Sequence, residues 1–326
     1  MLRWAILGTS FISHTVADAI ARSPGSVATV VVGRDVARRE AFRDTYGIAR
    51  SYPTIEEAVA DPEVDAVYVG LPNHVHHEAT MLAAAAGKAV LSEKSLTVSM
   101  EQTDLLLSAV RGRVFFVEGL MYLSHPLMQR FVDVLGDGRL GTMKSIHASY
   151  AADIAHLVNP SGGGAIFNLG CYPASLIQLT VDAVHGQGAF ERHALSACGW
   201  ISADGNVGES VASIAFDVGT LATLHTAETY GMTHRFEVHG TNGGLAFRSN
   251  PWLPKPGETG FTWTPFDGPP EEFTVSDPLD AFDHQIRMVE RCIELRLLEA
   301  LRPSPQLDDS RALMAMLTHW ESRARH

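Results

Sequence analysis

Few features that would mark a specialised class of protein are present in this sequence. It has only three cysteines, Cys171, Cys198 and Cys292, which lie far apart and match no metal-binding spacing. Lysine and arginine form no run, and 37 acidic against 25 basic residues give a net charge of −12, which argues against a nucleic-acid surface. No uninterrupted apolar stretch approaches the length that spans a membrane. No basic-apolar signal segment precedes the first apolar run at Leu2, so we expect a cytoplasmic protein.

A glycine-rich loop near the start of the chain is also incomplete. The sequence opens MLRWAILGTSFISHTVADAI, in which GTSFIS has the spacing of a nucleotide-binding loop. Of the three expected glycines only Gly8 is present, and Ser10 and Ser13 occupy the other two places. Gly8 keeps the tight turn, and both serines are small. The hexapeptide alone fits a working phosphate loop and an ordinary strand-to-helix turn equally well.

What the sequence does contain, in its first 120 residues, is an alternation of apolar strand-like runs with helical patterns. Strands without polar alternation, separated by helices, predict a parallel sheet covered on both faces. With right-handed crossovers the result is a doubly wound Rossmann sheet of the α/β class. The predicted strands cover residues 2–8, 27–33, 64–70, 88–92 and 113–119.

After residue 120 the pattern changes to successive β segments joined by glycine and asparagine turns. Long helical patterns lie at about 125–135, 172–183, 279–299 and 306–322. We therefore predict two domains, 1–120 and 121–326, the second an α+β domain with a large, mostly antiparallel open sheet. An open sheet of this size needs a cover, so we expect a homodimer, or a dimer of dimers, through this sheet. The Pro- and Gly-rich stretch 250–270 predicts a long loop.

Charged residues at the end of the second predicted strand bear on the choice of dinucleotide. An acidic residue at this tip holds the ribose 2′-OH of NAD, whereas an arginine suits the 2′-phosphate of NADP. Arg34 occupies the place of the carboxylate, and Arg38 and Arg39 follow one turn along the next helix. The sequence therefore favours NADP. NAD stays an alternative, because Asp35 is close enough in sequence to contact a ribose hydroxyl. The plain alternative for Arg34 is a solvated strand end.

The stretches GLPNHVHHEA (70–79) and LSEKSL (91–96) follow two neighbouring strands, where carboxyl ends open into a binding crevice. Lys94 comes directly after a buried strand, and burying an ammonium is costly without a task or a partner. We therefore take Lys94 as a chemical candidate, the alternative being a lysine on an exposed loop. The histidines of NHVHH lack a carboxylate or cysteine at ligand spacing, so we expect no metal.

The ordered set of these stretches resembles the Gfo/Idh/MocA family, named for glucose–fructose oxidoreductase and inositol dehydrogenase. The resemblance runs from the Gly8 loop through LPNHVH, SEKS and EGLMYLSHP to GGGAIFNLGCYPASLIQL and FEVHGTNGGL. GGGAIFNLGCYP (162–173) is most similar to the branch of dihydrodiol dehydrogenase, xylose dehydrogenase and glucose–fructose oxidoreductase. The resemblance implies NAD(P)-dependent hydride transfer between nicotinamide and a secondary alcohol or carbonyl of a sugar, polyol or cyclic diol.

By the same resemblance, Tyr172 is the general acid/base and Lys94 its partner. A free phenol holds its proton at neutral pH, and a nearby ammonium stabilises the phenolate and polarises the substrate oxygen. Without the family match, Tyr172 would be taken as a ring that anchors a helix start. The implied substrate-binding residues are Asn168, Met121 and His125. The implied cofactor-binding residues are Gly8, Thr9, Ser10, Phe11, Ile12, Gly33, Arg34, Arg38, Leu71, Pro72, Asn73, His76, Glu93 and Lys94.

Three positions depart from the family pattern. Asn168 stands for an aspartate, Ser95 for the proline of the family's EKP, and Leu123-Ser124 lack the usual arginine. These departures predict a changed substrate pocket. They also keep two alternatives open: a cofactor-binding regulator without turnover, and a reductase of keto-deoxysugars or anhydroketoses.

Overall fold

The computed structural model describes residues 1–326. Two compact units are formed, one of Met1–Ser124 with Ala281–Arg311 and the other of His125–Asp280 with Ala312–His326. The expected division into 1–120 and 121–326 thus differs for Ala281–Arg311, which packs with the N-terminal part of the chain. The reason is hydrophobic: Ile286 and Val289 are buried in the same core as Trp4.

The first unit contains a six-stranded parallel sheet with the strand order β3-β2-β1-β4-β5-β6. This order confirms the predicted doubly wound Rossmann sheet. Because the strand order reverses beside β1, the carboxyl ends of β1 and β4 flank the switch point where such folds bind ligands. The strands are β1 (Leu2–Leu7), β2 (Ser26–Val32), β3 (Arg50–Tyr52), β4 (Ala66–Val69), β5 (Ala89–Glu93) and β6 (Phe116–Gly119).

The second unit contains an eight-stranded sheet with the strand order β14-β13-β12-β11-β7-β10-β9-β8. Only β7 and β10 pair in parallel, so the predicted large and mostly antiparallel sheet is confirmed. The strands are β7 (Met143–Ala151), β8 (His193–Ile201), β9 (Val207–Phe216), β10 (Leu221–Ala227), β11 (Arg235–Gly240), β12 (Gly243–Phe247), β13 (Gly257–Pro265) and β14 (Glu271–Asp277).

The prediction of one long loop over residues 250–270 is wrong, because β13 lies within it. β13 pairs with β12 on one side and β14 on the other, and it buries Phe261 and Trp263. Its single proline, Pro265, stands at the strand end, where no ladder hydrogen bond is lost. Prolines and glycines on both sides of the strand concealed its alternation.

Nine helices complete the two units, and none is both long enough and apolar enough to cross a membrane. A π-helical turn, Ile166–Gly170, leads directly into α7, and 3₁₀ turns lie at Asn73–Val75, Met121–Ser124 and Pro160–Gly162. The helices are α1 (Phe11–Arg22), α2 (Val36–Tyr46), α3 (Ile55–Ala60), α4 (His76–Ala85), α5 (Met100–Val110), α6 (Pro126–Gly136), α7 (Cys171–His185), α8 (Ala281–Glu294) and α9 (Leu307–Ala324).

Candidate active site

The turn after β1 requires a glycine at position 8. Gly8 has a φ of +104°, and a Cβ built on it would lie 2.5 Å from the carbonyl oxygen of Gly70. The Gly8 amide donates to the carbonyl oxygen of Val32 at 2.9 Å. The ends of β1, β2 and β4 therefore meet at this turn, and they can approach so closely because residue 8 has no side chain.

The two serines in the loop are accommodated by a glycine elsewhere. Ser13 is fully buried, and its Oγ lies 3.2 Å from Oγ of Ser10. A Cβ on Gly70 would lie 2.7 Å from Ser13 Oγ, so Gly70 supplies the room that a third loop glycine usually leaves. Helix α1 begins at Phe11, and the side chain of its cap residue Ser10 makes no capping hydrogen bond. The Ser10 side chain therefore leaves the first amides of α1 uncapped, at the position where helices bind anions.

The tip of β2 carries two exposed arginines and one that is structural. Arg39 is buried, and its Nη1 donates to the carbonyl oxygen of Gly33 at 2.9 Å. Asp35 caps α2 by accepting the amide of Arg38 at 3.0 Å, so one of its two carboxylate oxygens is engaged within the protein. Arg34 and the side chain of Arg38 are exposed at this tip. They add positive charge beside the loop after β1.

His76 joins the loops that follow β4 and β5. Its ring is fully buried, with Nε2 2.6 Å from the carbonyl oxygen of Leu71 and Nδ1 2.9 Å from that of Ser95. Burial lowers the pKa of His76 to about 4, against the raising effect of these two carbonyl oxygens, and the neutral ring has a single N–H, which donates to one of them. Pro72 and Asn73 complete the first of these loops, Pro72 exposed and Asn73 buried. No three His, Cys, Asp or Glu side chains of the chain cluster as metal ligands would.

Lys94 follows β5 beside a buried carboxyl group. Glu93 accepts the Tyr68 hydroxyl at 3.0 Å through Oε1 and the Lys94 amide at 3.3 Å through Oε2. Burial raises the pKa of Glu93, and the positive charge of Lys94 opposes this rise. Glu93 is 7% exposed, so its side chain contacts neighbouring residues of the protein and very little solvent.

A second buried carboxyl, Glu118 at the end of β6, was not identified from the sequence. It is 1% exposed, and its Oε1 accepts the Leu96 amide at 3.0 Å while Oε2 has no hydrogen-bond partner. Burial raises the pKa of Glu118 to about 7, against the lowering effects of Ser310, the Leu96 amide and the Lys94 charge. Its only sequence signal was a glutamate in an otherwise apolar strand end next to β5.

We expect Glu118 to make stability depend on pH. Its pKa rises from a usual value of 4.5 to about 7, so between these values the unfolded chain loses a proton that the folded protein keeps. The free energy of unfolding should therefore fall as pH rises from about 4.5 to 7, by at most about 3 kcal/mol, and stay level above. Glu118→Gln, which still accepts the Leu96 amide, should lack this decline in urea unfolding measured from pH 5 to 7.5.

The control for this measurement is internal. Glu93 also has a raised pKa and contributes a decline of the same sign, but it is present in both proteins, so the difference between their stability curves reports mainly on Glu118. Parallel stability curves for the wild type and Glu118→Gln would show that Glu118 ionises normally in the fold.

Tyr172 lies in the second unit, in the first turn of α7. Its ring meets the ring of Tyr150 edge-on, with 5.5 Å between centroids, and Tyr150 in turn contacts Trp252 at 5.0 Å. The Tyr172 side chain is largely buried, 8% of the residue being exposed. The π-helical turn Ile166–Gly170 directly precedes it, a feature found frequently at functional sites. The aromatic contacts fix the plane of the Tyr172 ring.

Asn168, within the π-helical turn, contacts a buried carboxyl that the sequence analysis missed. Its Nδ2 donates to Oε2 of Glu228 at 2.8 Å, and Glu228 is 2% exposed. Burial raises the pKa of Glu228, and the Asn168 amide opposes this rise. An aspartate at 168 would place two carboxylates in contact, so the asparagine is the residue that suits this neighbour.

The remaining predicted residues lie in or beside the 3₁₀ turn that ends the first unit. Met121 is buried within this turn, and His125 begins the second unit, buried and capping α6 by accepting the Leu127 amide at its Nδ1. The cofactor-binding candidates and Lys94 all belong to the first unit, whereas Tyr172, Asn168 and His125 belong to the second. The roles of these residues stay predictions.

Two family profiles match the sequence. That of the oxidoreductase family with an NAD-binding Rossmann fold matches residues 2–117, and that of the GFO/IDH/MocA C-terminal domain matches residues 128–246. The chain belongs to the Gfo/Idh/MocA family. The resemblance noted in the sequence is thereby confirmed for both halves of this oxidoreductase.

Similar proteins within the Gfo/Idh/MocA family include sugar and diol enzymes. An uncharacterized oxidoreductase of Rhizobium meliloti is 31% identical over 78% of this chain and 77% of its own length. The 1,5-anhydro-D-fructose reductase of Ensifer adhaerens is 29% identical over 76% of each chain. The trans-1,2-dihydrobenzene-1,2-diol dehydrogenase of Bos taurus is 24% identical over 92% of this chain and 90% of its own.

A solved structure confirms the fold. KijD10, a 3-ketoreductase from Actinomadura kijaniata in complex with NADP and TDP-benzene, superposes with a TM-score of 0.84. The match covers 98% of this chain and 97% of that chain at 23% identity. The combination of parallel and mostly antiparallel sheets is therefore shared over nearly the whole length.

Proposed function

We propose that this Gfo/Idh/MocA protein interconverts a secondary alcohol and a carbonyl group of a sugar, polyol or cyclic diol, with NADP preferred over NAD. The observation that carries the proposal is the loop after β1: Gly8 and Gly70 keep two strand ends bare of side chains beside the uncapped start of α1. That arrangement suits a pyrophosphate. The sugar and diol activities of its relatives support the substrate class.

The residues present fit a nicotinamide dinucleotide. The loop of Gly8, Thr9 and Ser10 with the start of α1 would hold the pyrophosphate through backbone amides, and Leu71 and Pro72 would flank it from β4. Arg34 and Arg38 are exposed at the tip of β2, and as cations they would contact a 2′-phosphate. When bound, the cofactor supplies the acceptor or donor of hydride.

Tyr172 moves the proton in this proposal. It accepts the substrate hydroxyl proton during oxidation and returns a proton to the carbonyl oxygen during reduction. Lys94 stabilises the phenolate and the oxygen charge that develops. His76 is buried between the carbonyl oxygens of Leu71 and Ser95 and donates its one N–H to one of them, so we assign it a positioning role in place of direct cofactor contact.

An absorbance assay tests the function directly. Purified protein with NADP and a panel of aldoses, polyols and cyclic diols should produce reduced nicotinamide, and protein with NADPH and 1,5-anhydro-D-fructose tests the reductase alternative. Nucleotide binding without turnover in either direction would favour the regulator alternative, for which the departures at Ser95 and Asn168 are the supporting features.

We expect the NADP preference to depend on Arg34. Arg34→Ala should raise KM for NADP by about 10- to 100-fold, because a hydrogen bond to a charged group contributes about 1.5–3 kcal/mol, and should leave KM for NAD within about twofold. Arg43→Ala is the matched control, since Arg43 is an exposed arginine of α2 paired with Glu40 and Asp44. Equal effects on both cofactors would contradict the assignment of Arg34 to the 2′-phosphate.

The open sheet of the second unit supports a homodimer. A row of small and polar residues crosses six neighbouring strands on one face, and Val211 and Leu221 are exposed beside it. We propose that a second copy packs on this face. Native mass spectrometry should then give twice the chain mass of 35.3 kDa, and a monomer would contradict the proposal. The row is Ser196, Ser213, Thr223, His147, Glu237 and Ala246.

A further inference from the structure

Glu228 is a buried carboxyl group held firmly at the carboxyl end of β10. Its amide donates to the carbonyl oxygen of Gly208 at 3.0 Å, and its own carbonyl oxygen accepts the amides of Ile154 and Ala155, both at 2.9 Å. Its Oε2 accepts the Asn168 side chain at 2.8 Å, and its Oε1 accepts no hydrogen bond from the chain. A carboxylate has about four lone-pair sites, so this one keeps acceptor capacity.

Glu228 and Tyr172 lie on the same face of the sheet. Strands β7 and β10 are parallel neighbours with Tyr150 opposite Thr226, and Glu228 follows Thr226 by two residues, which places it on the Tyr150 side. Tyr150 is the residue whose ring contacts Tyr172 at 5.5 Å.

The position of Asn168 also places Glu228 near Tyr172. Asn168, which contacts Glu228, precedes Tyr172 by four residues along the π-helical turn and α7, so their side chains are neighbours on one face. Gly170 of the same turn packs on Thr226, where a Cβ would lie 3.3 Å from the threonine methyl carbon. The carboxyl of Glu228 and the phenol of Tyr172 are therefore parts of one site in the second unit.

The carboxylate of Glu228 favours hydrogen-bond donors on a ligand. A carboxylate that accepts one amide and retains a free oxygen binds hydroxyl donors, and it repels a carboxylate or phosphate on a ligand. If residue 168 were aspartate, repulsion between the two carboxylates would raise the pKa of one of them. Asn168 is neutral and leaves Glu228 able to act as an anion.

We propose that Glu228 binds a second hydroxyl group of the substrate, next to the carbon whose oxygen faces Tyr172, and so selects neutral polyhydroxylated substrates over mono-alcohols and acids. This inference rests on the proposed function for the reacting group at Tyr172. It adds a specificity-determining residue in the second unit.

Calorimetry tests the inference independently of turnover, with trans-cyclohexane-1,2-diol and cyclohexanol as probes that differ by one hydroxyl. The wild type should bind the diol more tightly than cyclohexanol. Glu228→Gln, which still accepts the Asn168 amide, should weaken diol binding by about 10- to 100-fold and change cyclohexanol binding by less than threefold, since a charge-assisted hydrogen bond is lost only with the diol. Glu258→Gln, an exposed glutamate of β13, is the matched control.

The outcomes separate this inference from the proposed function. Diol binding that depends on Glu228 without any turnover would sustain the inference and overturn the enzyme. Equal loss for both probes, or none for either, would overturn the role of Glu228, as would a wild type that binds neither probe. The variant Asn168→Asp gives a second check. Its diol binding should be weaker at pH 6 than at pH 8, because at pH 6 the carboxyl groups of residue 168 and Glu228 share a proton.

Discussion

Replacing Tyr172 by phenylalanine should lower kcat by about 10²- to 10⁴-fold, the usual contribution of a positioned general acid or base. The substitution removes only the phenolic oxygen. The ring contact with Tyr150 at 5.5 Å remains, so the fold and the affinity for NADP should be unchanged. Steady-state kinetics on the best substrate of the panel, with thermal unfolding of both proteins, measures the effect.

Tyr150→Phe is the matched control, because it removes a phenolic oxygen from the same aromatic layer. Burial raises the pKa of Tyr150, so its hydroxyl is poorly suited to exchange protons with a substrate. We expect its kcat to stay within about threefold of the wild type. Full activity in Tyr172→Phe would remove Tyr172 from the mechanism, and loss in both variants would indicate a structural role for the layer.

Much of the first sheet could be predicted because its strands are continuous apolar runs. Residues 66–69 of β4, for example, are all buried, and no other element type explains such a short run between two helices. The edge strand Arg50–Tyr52 escaped because three half-buried polar residues carry no periodic signal. β13 was predicted as part of a loop because the prolines on both sides of it are typical of loops, although Phe261 and Trp263 are typical of a strand.

The loop after β1 shows what the sequence alone could not decide. Ser10 and Ser13 looked like replacements for missing glycines, yet whether they fit depends on Gly70, which is close to them only because β4 pairs with β1. Asp35 likewise is a residue type that contacts a ribose, and its capping of α2 engages one of its two carboxylate oxygens. Both answers rest on contacts that hydrophobic pattern does not encode.

The two missed carboxyls, Glu118 and Glu228, share a physical explanation. Glu118 is the last residue but one of β6 and Glu228 directly follows β10, and in sequence a glutamate at a strand end is indistinguishable from a solvated one. Their burial results from strand order: β6 lies beside β5, and β10 lies beside β7 although three elements of the chain separate those two strands. Polar groups that a fold buries through non-local pairing are therefore the part of a site that sequence patterns reveal least.

Substituting Lys94 by alanine should lower kcat by about 10²- to 10³-fold, the effect of removing one charge-stabilising donor from a site of developing negative charge. The ammonium also opposes the raised pKa values of Glu93 and Glu118, so the variant leaves two buried carboxyls without a cationic neighbour. Lys88→Ala is the matched control at the opposite end of β5, where Nζ donates to the carbonyl oxygens of Asp61 and Val64. Lys88→Ala should change the free energy of unfolding and leave kcat within about twofold of the wild type.

The double variant Lys94→Ala/Tyr172→Phe decides whether the amine acts through the phenol. If Lys94 serves to stabilise the Tyr172 phenolate, removing it from an enzyme that already lacks the phenol costs little, and the double variant should match Tyr172→Phe within about threefold. Losses that multiply would show two independent contributions and would contradict the pairing. Lys94→Arg refines the result, because it keeps the charge but changes the shape of the donor, and an activity between wild type and alanine is expected.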